Sequence, residues 1–209
     1  AQVIVNPSPV FDFSDEQQFT ISANIKVDGN GEVIFQAEQS FGYYIGTHND
    51  GEFSLTMYFE GYEDLCLSET PITDGRWHNV SAVYDGSQMK IYVDGILENS
   101  CDAGTLVSQD ESSMITVGTY RQDNSNYQFN GNIDQISIWN TALTQSDIQT
   151  YWIEDQYLNT DGLVADYRFN SGDGDILYDH SGNGNHGTIN SVAEWNNDEP
   201  VIVTFQYDA

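Results

Sequence analysis

The stretch from Asp74 to Gly95, DGRWHNVSAVYDGSQMKIYVDG, constrains this chain more tightly than any other. Val80, Ala82 and Tyr84 alternate with Asn79, Ser81 and Val83, and Met89, Ile91 and Val93 alternate with Lys90, Tyr92 and Asp94. A repeat of two is that of a β-strand with one face turned to a core. Asp85-Gly86 and Asp94-Gly95 supply the positive-φ positions that tight hairpins require. The segment is therefore expected to be a hairpin of a β-sandwich.

The same grammar recurs along the chain. Phe19 to Val27 alternates and ends at the turn Asp28-Gly29-Asn30-Gly31, from which Val33 to Ala37 returns. Phe41 to Gly46 and Phe53 to Phe59 flank a polar turn, and Asp64 to Leu67 reads as a shorter strand before Pro71. Met114 to Tyr120 and Ile133 to Trp139 follow, and later Leu163 to Phe169 and Val201 to Tyr207. With 13% aromatic residues, 18 glycines and only 18% charged residues, the composition suits short strands joined by turns. The predicted fold is all-β, an antiparallel two-sheet β-sandwich. One interruption is expected, a short helix near 144–154, where Thr144 caps a first turn carrying Asp147. A length of 209 residues suits one domain over 1–209, with 160–209 completing the sandwich.

Thirty-three acids against five bases leave a formal charge of −28, which repels phosphate backbones and anionic lipid. No nucleic acid partner is expected, and with no apolar run near the length of a membrane span, no membrane insertion. The acidity fits either carboxylates gathered around Ca²⁺ or a solvated surface suited to a saline exterior. Ala1 opens the sequence without a basic or apolar leader, so a mature fragment or excised module is expected. The only cysteines, Cys66 and Cys101, flank the hairpin in segments that should both be strands. Either they form a disulfide, the expectation adopted, or they are two buried thiols; they cannot make a zinc site without histidines at ligand spacing.

The order DG-x-WH-x-V, then YDG, then IYVDG resembles laminin-G-like and pentraxin-like lectin sandwiches. Asn130 to Trp152, NGNIDQISIWNTALTQSDIQTYW, strengthens the resemblance. The tail GLVADYRFNSGDGDILYDHSGNGNHGTI is similar to a motif of bacterial laminin-G-like modules. The resemblance implies a jelly roll of the concanavalin A-like superfamily, in a secreted or cell-surface bacterial protein with other domains.

Hydrolysis in such a sandwich would need two carboxylates facing across a cleft. The related laminarinase-like glucanases carry E-x-D-x-(x)-E, and that spacing does not occur here. No catalytic residue is assigned and no enzyme is expected. His78, beside Trp77 at a strand start, reads as a packed ring with a backbone hydrogen bond. Calcium is the expected cofactor, because loops of Asp, Asn and backbone carbonyls supply hard oxygen donors. Asp179, Asn183 and Asn185 lie in the loop richest in donors. Asn49 and Asp50, and Asp123 in the loop after Val117-Gly118, occupy places where pentraxins hold calcium ligands. For a sugar, which presents an apolar C–H face and hydroxyls, Tyr62 and Tyr127 with Asn126 and Gln128 are the expected contacts. Tyr43, Tyr44 and Tyr120 are weaker candidates.

These readings converge on a non-catalytic extracellular module that binds carbohydrate or glycoprotein with the help of calcium, within a bacterial adhesion protein. Two alternatives stand beside it: a calcium-stiffened spacer of an adhesin, and an accessory carbohydrate-targeting module of a polysaccharide-degrading enzyme.

Overall fold

A computed structural model describes residues 3–15, 17–27, 33–37, 42–59, 62–106, 115–119, 129–154, 160–190 and 195. Two antiparallel sheets and one α-helix form, as the period-two segments require. In chain order the strands are β1 (Val3–Val5), β2 (Phe19–Val27), β3 (Val33–Ala37), β4 (Tyr43–Thr47) and β5 (Glu52–Phe59). Next come β6 (Tyr62–Pro71), β7 (Trp77–Tyr84), β8 (Gln88–Val93), β9 (Ile96–Asp102) and β10 (Ile115–Val117). After β11 (Gly131–Trp139) and α1 (Gln145–Glu154) come β12 (Leu163–Tyr167), β13 (Ile176–Leu177) and β14 (Gly187–Ile189).

The larger sheet runs β13-β14-β1-β10-β3-β4-β5-β6, and the smaller runs β12-β11-β2-β7-β8-β9. Alternation decides which side chains meet between them. Phe19, Ile21, Ala23 and Ile25 of β2, with Val80, Ala82 and Tyr84 of β7, face Phe53, Leu55 and Met57 of β5 across one apolar core. Phe13, Phe19 and Tyr43 stack at its centre, Phe19 and Tyr43 with ring centroids 4.6 Å apart. Tyr43 is thus a core residue, 1% exposed, its hydroxyl donating to the Phe11 carbonyl at 3.2 Å. The sugar-contact expectation for Tyr43 is corrected, because its neighbours on β4 fix it on the inward face.

The opening hairpin forms as read. Asp94 (φ 50°) and Gly95 (φ 74°) make the two-residue turn that sets Val93 opposite Ile96. Helix α1 lies against that turn, Gln149 Nε2 donating to the Gly95 carbonyl at 2.9 Å. A Cβ at position 95 would stand 2.9 Å from Gln149 Cγ, so glycine serves both the turn and the helix contact. Thr144 caps α1 reciprocally: its hydroxyl donates to the Asp147 carboxylate at 2.6 Å and accepts from the Asp147 N–H at 3.3 Å. The helix and its lead-in cover Val83 and Tyr92 on the outer face of the smaller sheet through Ile148, Ala142 and Leu143.

Strand β6 is longer than its apolar run suggested, extending to Pro71. Proline is tolerated there because β6 is an edge strand with no further ladder to feed. β9, at the corresponding edge of the smaller sheet, is tied to it in three ways. Cys66 and Cys101 form a disulfide between the sheets. Glu98 Oε2 accepts from the N–H groups of Glu69 (2.9 Å) and Thr70 (2.8 Å), and Asn99 Nδ2 donates to the Leu67 carbonyl (2.9 Å).

At the opposite edges the late strands take their places, β12 pairing with β11 and β14 with β1. The strand expected over Phe41 to Gly46 forms as β4 from Tyr43, while the one expected over Val201 to Tyr207 falls on residues outside those described. No helix among the described residues is long and apolar enough to cross a membrane.

Candidate functional site

Strand directions separate the residues singled out for calcium. The β4–β5 turn carries Asn49 and Asp50, both exposed, at the end of the sandwich toward which β10 also runs. Asp123 lies outside the described residues, as do Asn126, Tyr127, Gln128 and Tyr120. Tyr62 is the first residue of β6, paired with Phe59. The loop from Asp179 to His186 joins β13 to β14 at the other end, level with Tyr43 rather than Thr47.

That loop spends its polar groups on the protein itself. Asp179, 7% exposed, accepts at Oδ1 from the N–H groups of Asp166 and Ser181 and at Oδ2 from the Ser181 hydroxyl and the Asn185 N–H, all at 2.9 Å. A carboxylate offers about four lone-pair positions, and four donors occupy them. Burial alone would raise the Asp179 pKa, but these hydrogen bonds outweigh it and hold the group below the ordinary carboxylate range. Asn183 Nδ2 donates to the carbonyls of Leu163 and Val164, and Asn185 Nδ2 to that of Val164. The Tyr167 hydroxyl donates to the Asn185 carbonyl at 2.6 Å. As arranged, the loop is a clasp fastening β13 and β14 of one sheet to β12 of the other. Among the described residues no three carboxylate, histidine or cysteine side chains gather as metal ligands would.

Beside the β4–β5 turn sits a second charged arrangement, at the open end of the hairpin. His78, its side chain 12% exposed, places Nδ1 3.0 Å from Asp94 Oδ2 and Nε2 3.1 Å from Asp74 Oδ1. The expected backbone hydrogen bond gives way to two carboxylates, because the β8–β9 turn returns Asp94 alongside the start of β7. The bond to Asp94 raises the His78 pKa and outweighs desolvation, with Asp74 adding in the same sense. A folded pKa above the unfolded value of about 6.5 means that this stabilisation is complete below that pH and is lost as pH rises through the folded value. The melting-temperature advantage of the wild type over His78→Gln should therefore shrink steadily between about pH 6 and pH 8. A His78 ring that titrates below 6.5 in an NMR pH series would contradict this.

The outer face of the larger sheet has a different character. Register carries a single row across it: Ile4 opposite Thr116, Thr116 opposite Gln36, Gln36 opposite Tyr44, Tyr44 opposite Thr56, and Thr56 opposite Leu65. Their strand neighbours Val3, Val5, Phe35, Ala37, Tyr43, Ile45, Leu55, Met57, Cys66, Ile115 and Val117 lie in the core, so this row points outward. Tyr44 and Tyr58, diagonal neighbours on β4 and β5, bring their rings to 6.0 Å in a tilted pair. Gln36 and Thr56 are buried, 3% and 2% exposed, while Leu65 is 40% exposed. Thr116 closes on itself, its hydroxyl donating to the Thr119 carbonyl at 2.9 Å. Thr56 Oγ1 is buried and has no hydrogen-bond partner among the described residues. Such a group costs about 1–3 kcal/mol to leave unpaired. Neither Thr56 nor Tyr58 stood out in the sequence, since their juxtaposition depends on the register of several strands.

Two sheets of this order, with a helix on one outer face, define a lectin-like jelly roll. Residues 2–149 match the laminin-G-type family described as the concanavalin A-like lectin/glucanases superfamily, and the chain belongs to it. No curated protein matches by sequence. Among solved structures, a carbohydrate-binding candidate from Bacteroides ovatus aligns at 20% identity and TM-score 0.66, over 90% of this chain and 55% of that one. A heptameric SAP-like pentraxin from Limulus polyphemus aligns at 17% identity and TM-score 0.56, over 72% of this chain and 75% of that one. Domain 4 of AbnA, an extracellular GH43 arabinanase from Geobacillus stearothermophilus solved with arabinotriose, aligns at 19% identity and TM-score 0.53, covering 64% and 65%. The chain thus spans little more than half the length of the Bacteroides protein.

Proposed function

We propose that this chain is a non-catalytic, extracellular carbohydrate-binding module of a larger protein. The observation that carries the reading is the outer face of the larger sheet, where an aromatic pair adjoins uncharged polar side chains. That combination suits a sugar, with apolar C–H faces for the rings and hydroxyls for the amides and alcohols. Membership of a lectin/glucanases superfamily and the likeness to an arabinanase domain support it, and the disulfide fits an oxidising compartment. The arabinanase likeness favours the accessory-module alternative over the adhesin spacer.

Calcium belongs to the proposal with Asn49 and Asp50 as its candidate ligands and Asp123, outside the described residues, as a further acid, because donors already occupy the Asp179 carboxylate. The test is a panel of immobilised plant, algal and microbial polysaccharides probed with and without a chelator. Retention on at least one glycan that weakens on chelation is the expected result. Retention indifferent to chelation removes calcium and leaves the sugar, and no retention on any glycan overturns the function.

A further inference from the structure

We infer that the β13–β14 edge of the molecule carries a separate sugar site, in which a neutral saccharide ring stacks on Tyr178 and hydrogen-bonds to His186, Thr188 and the Tyr178 hydroxyl. This inference rests on the carbohydrate reading and goes past it, because the site is a different one: β14 lies four strand spacings, about 19 Å, from β4 and its Tyr44.

Strand direction places these residues on the open side. Leu177, between Ile176 and Tyr178, is buried in the core, so both of its neighbours turn outward. Gly187, between His186 and Thr188, faces Val3, Val5 and Leu177 on its inner side, which sends His186 and Thr188 the same way. Register sets Ile176 opposite Thr188. All four are accessible: Tyr178 is 47% and Ile176 40% exposed, and His186 and Thr188 are exposed as well.

Three observations carry the site. The first is ring geometry. Tyr178 and His186 meet edge to face, with centroids 5.5 Å apart and planes at 72°. Such a contact covers at most one face of either ring, and the exposed Tyr178 keeps a face for the apolar C–H side of a sugar. The second is a fixed donor. His186 Nδ1 accepts from the Asp179 N–H at 3.0 Å, so that nitrogen carries no proton and Nε2 bears the ring hydrogen. Among the described residues Nε2 has no hydrogen-bond partner, and neither do the Tyr178 and Thr188 hydroxyls. The clasp thus orients an N–H donor beside an open aromatic ring, the two kinds of group that a sugar engages. The third is charge. Ile176, Tyr178, His186, Thr188 and, opposite Thr188 on β1, Ile4 include no acid, although the chain holds 33. Asp179 turns its carboxylate onto four protein donors, and the next acid in sequence is Asp175, before Ile176. An uncharged patch on so acidic a protein selects a neutral ring, since a uronate would meet the surrounding negative field.

The experiment is a two-dimensional NMR titration of the intact chain with cellohexaose, xylohexaose, mannohexaose and arabinohexaose, with polygalacturonate as the charged control. Saturable shifts are expected at the Tyr178, His186 and Thr188 amides and at the His186 Nε2 resonance with at least one neutral oligosaccharide, and none with polygalacturonate. Affinity at this site should fall about tenfold in Tyr178→Leu and stay within a factor of about two in Tyr178→Trp. Both replacements are bulky and apolar at an exposed position, so a packing role would not separate them, and both should melt with the wild type. Thr188→Val should lose about threefold. Shifts that miss β13 and β14 while a neutral glycan is retained on the immobilised panel, or wild-type affinity in Tyr178→Leu, overturn the site and leave the carbohydrate reading standing. Light scattering supplies a further outcome: a wild-type dimer that Tyr178→Leu converts to monomer, with no sugar shifts at the patch, makes it a contact between copies and overturns the site likewise. A wild type that binds none of these oligosaccharides, and none of the immobilised polysaccharides either, overturns both.

Discussion

Breaking the Cys66–Cys101 bond is expected to lower the melting temperature by on the order of 10 °C. The bridge closes a loop with a sequence separation of 35, worth roughly 3–4 kcal/mol in the chain-entropy account. For a chain of this size each kcal/mol shifts the midpoint by about 2–4 °C. The physical cause extends beyond loop entropy, because the bond joins edge strands of different sheets, and among the described residues Glu98, Asn99 and the Gly104 N–H bond to Asp64 remain as the polar ties at that margin. Scanning calorimetry of the Cys66→Ala/Cys101→Ala variant and of reduced wild type should agree within a few degrees. If both melt with the oxidised protein, the staple contributes nothing to equilibrium stability.

Replacing Asp179 by alanine is expected to cost about 3 kcal/mol or more, since it orphans the Asp166, Ser181 and Asn185 N–H groups and the Ser181 hydroxyl together. The damage should be local first. β13 and β14 contribute only two and three residues to their ladders, so the clasp, more than the ladder, holds them to β12. Hydrogen exchange should show protection lost at Leu177, Gly187 and Ile189 before any change at the Ile21 or Ala82 amides. Asp179→Asn, which keeps the shape and one strong acceptor, should fall between. Simultaneous loss across the whole chain would show that clasp and core unfold as one unit.

Much of this architecture was legible in the residues. Alternation over eight or nine positions located β2 and β7, since only one register buries Phe19, Ile21, Ala23 and Ile25 together. Thr144 and Asp147 marked the helix start because a cap is a local device. The short strands were harder. β1, β13 and β14 are too brief to show a period, and β1 finds both its partners, β10 and β14, far away in sequence.

The sites divide the same way. Asp179 stood out by the density of donors around it, but whether those donors turn toward an ion or toward the backbone of Leu163 and Val164 is decided by where β12 lies. His78 and Asp94 are 16 positions apart and meet only through the hairpin. The row of Gln36, Tyr44 and Thr56 required the order of three strands as well as their faces, and a sequence states the faces alone.

The ties between β6 and β9 have one more consequence, for how copies of this protein behave when crowded. An open sheet margin exposes unpaired N–H and C=O groups that can recruit a strand from another molecule. Here Glu98 occupies two donors of the β6 margin and Asn99 an acceptor, with the disulfide fixing the side chains that do so. The stretch of that margin from Leu67 to Thr70 is thus covered by the neighbouring sheet rather than left open as a template. A strongly acidic surface adds mutual repulsion, so many copies packed at high local density should remain separate particles.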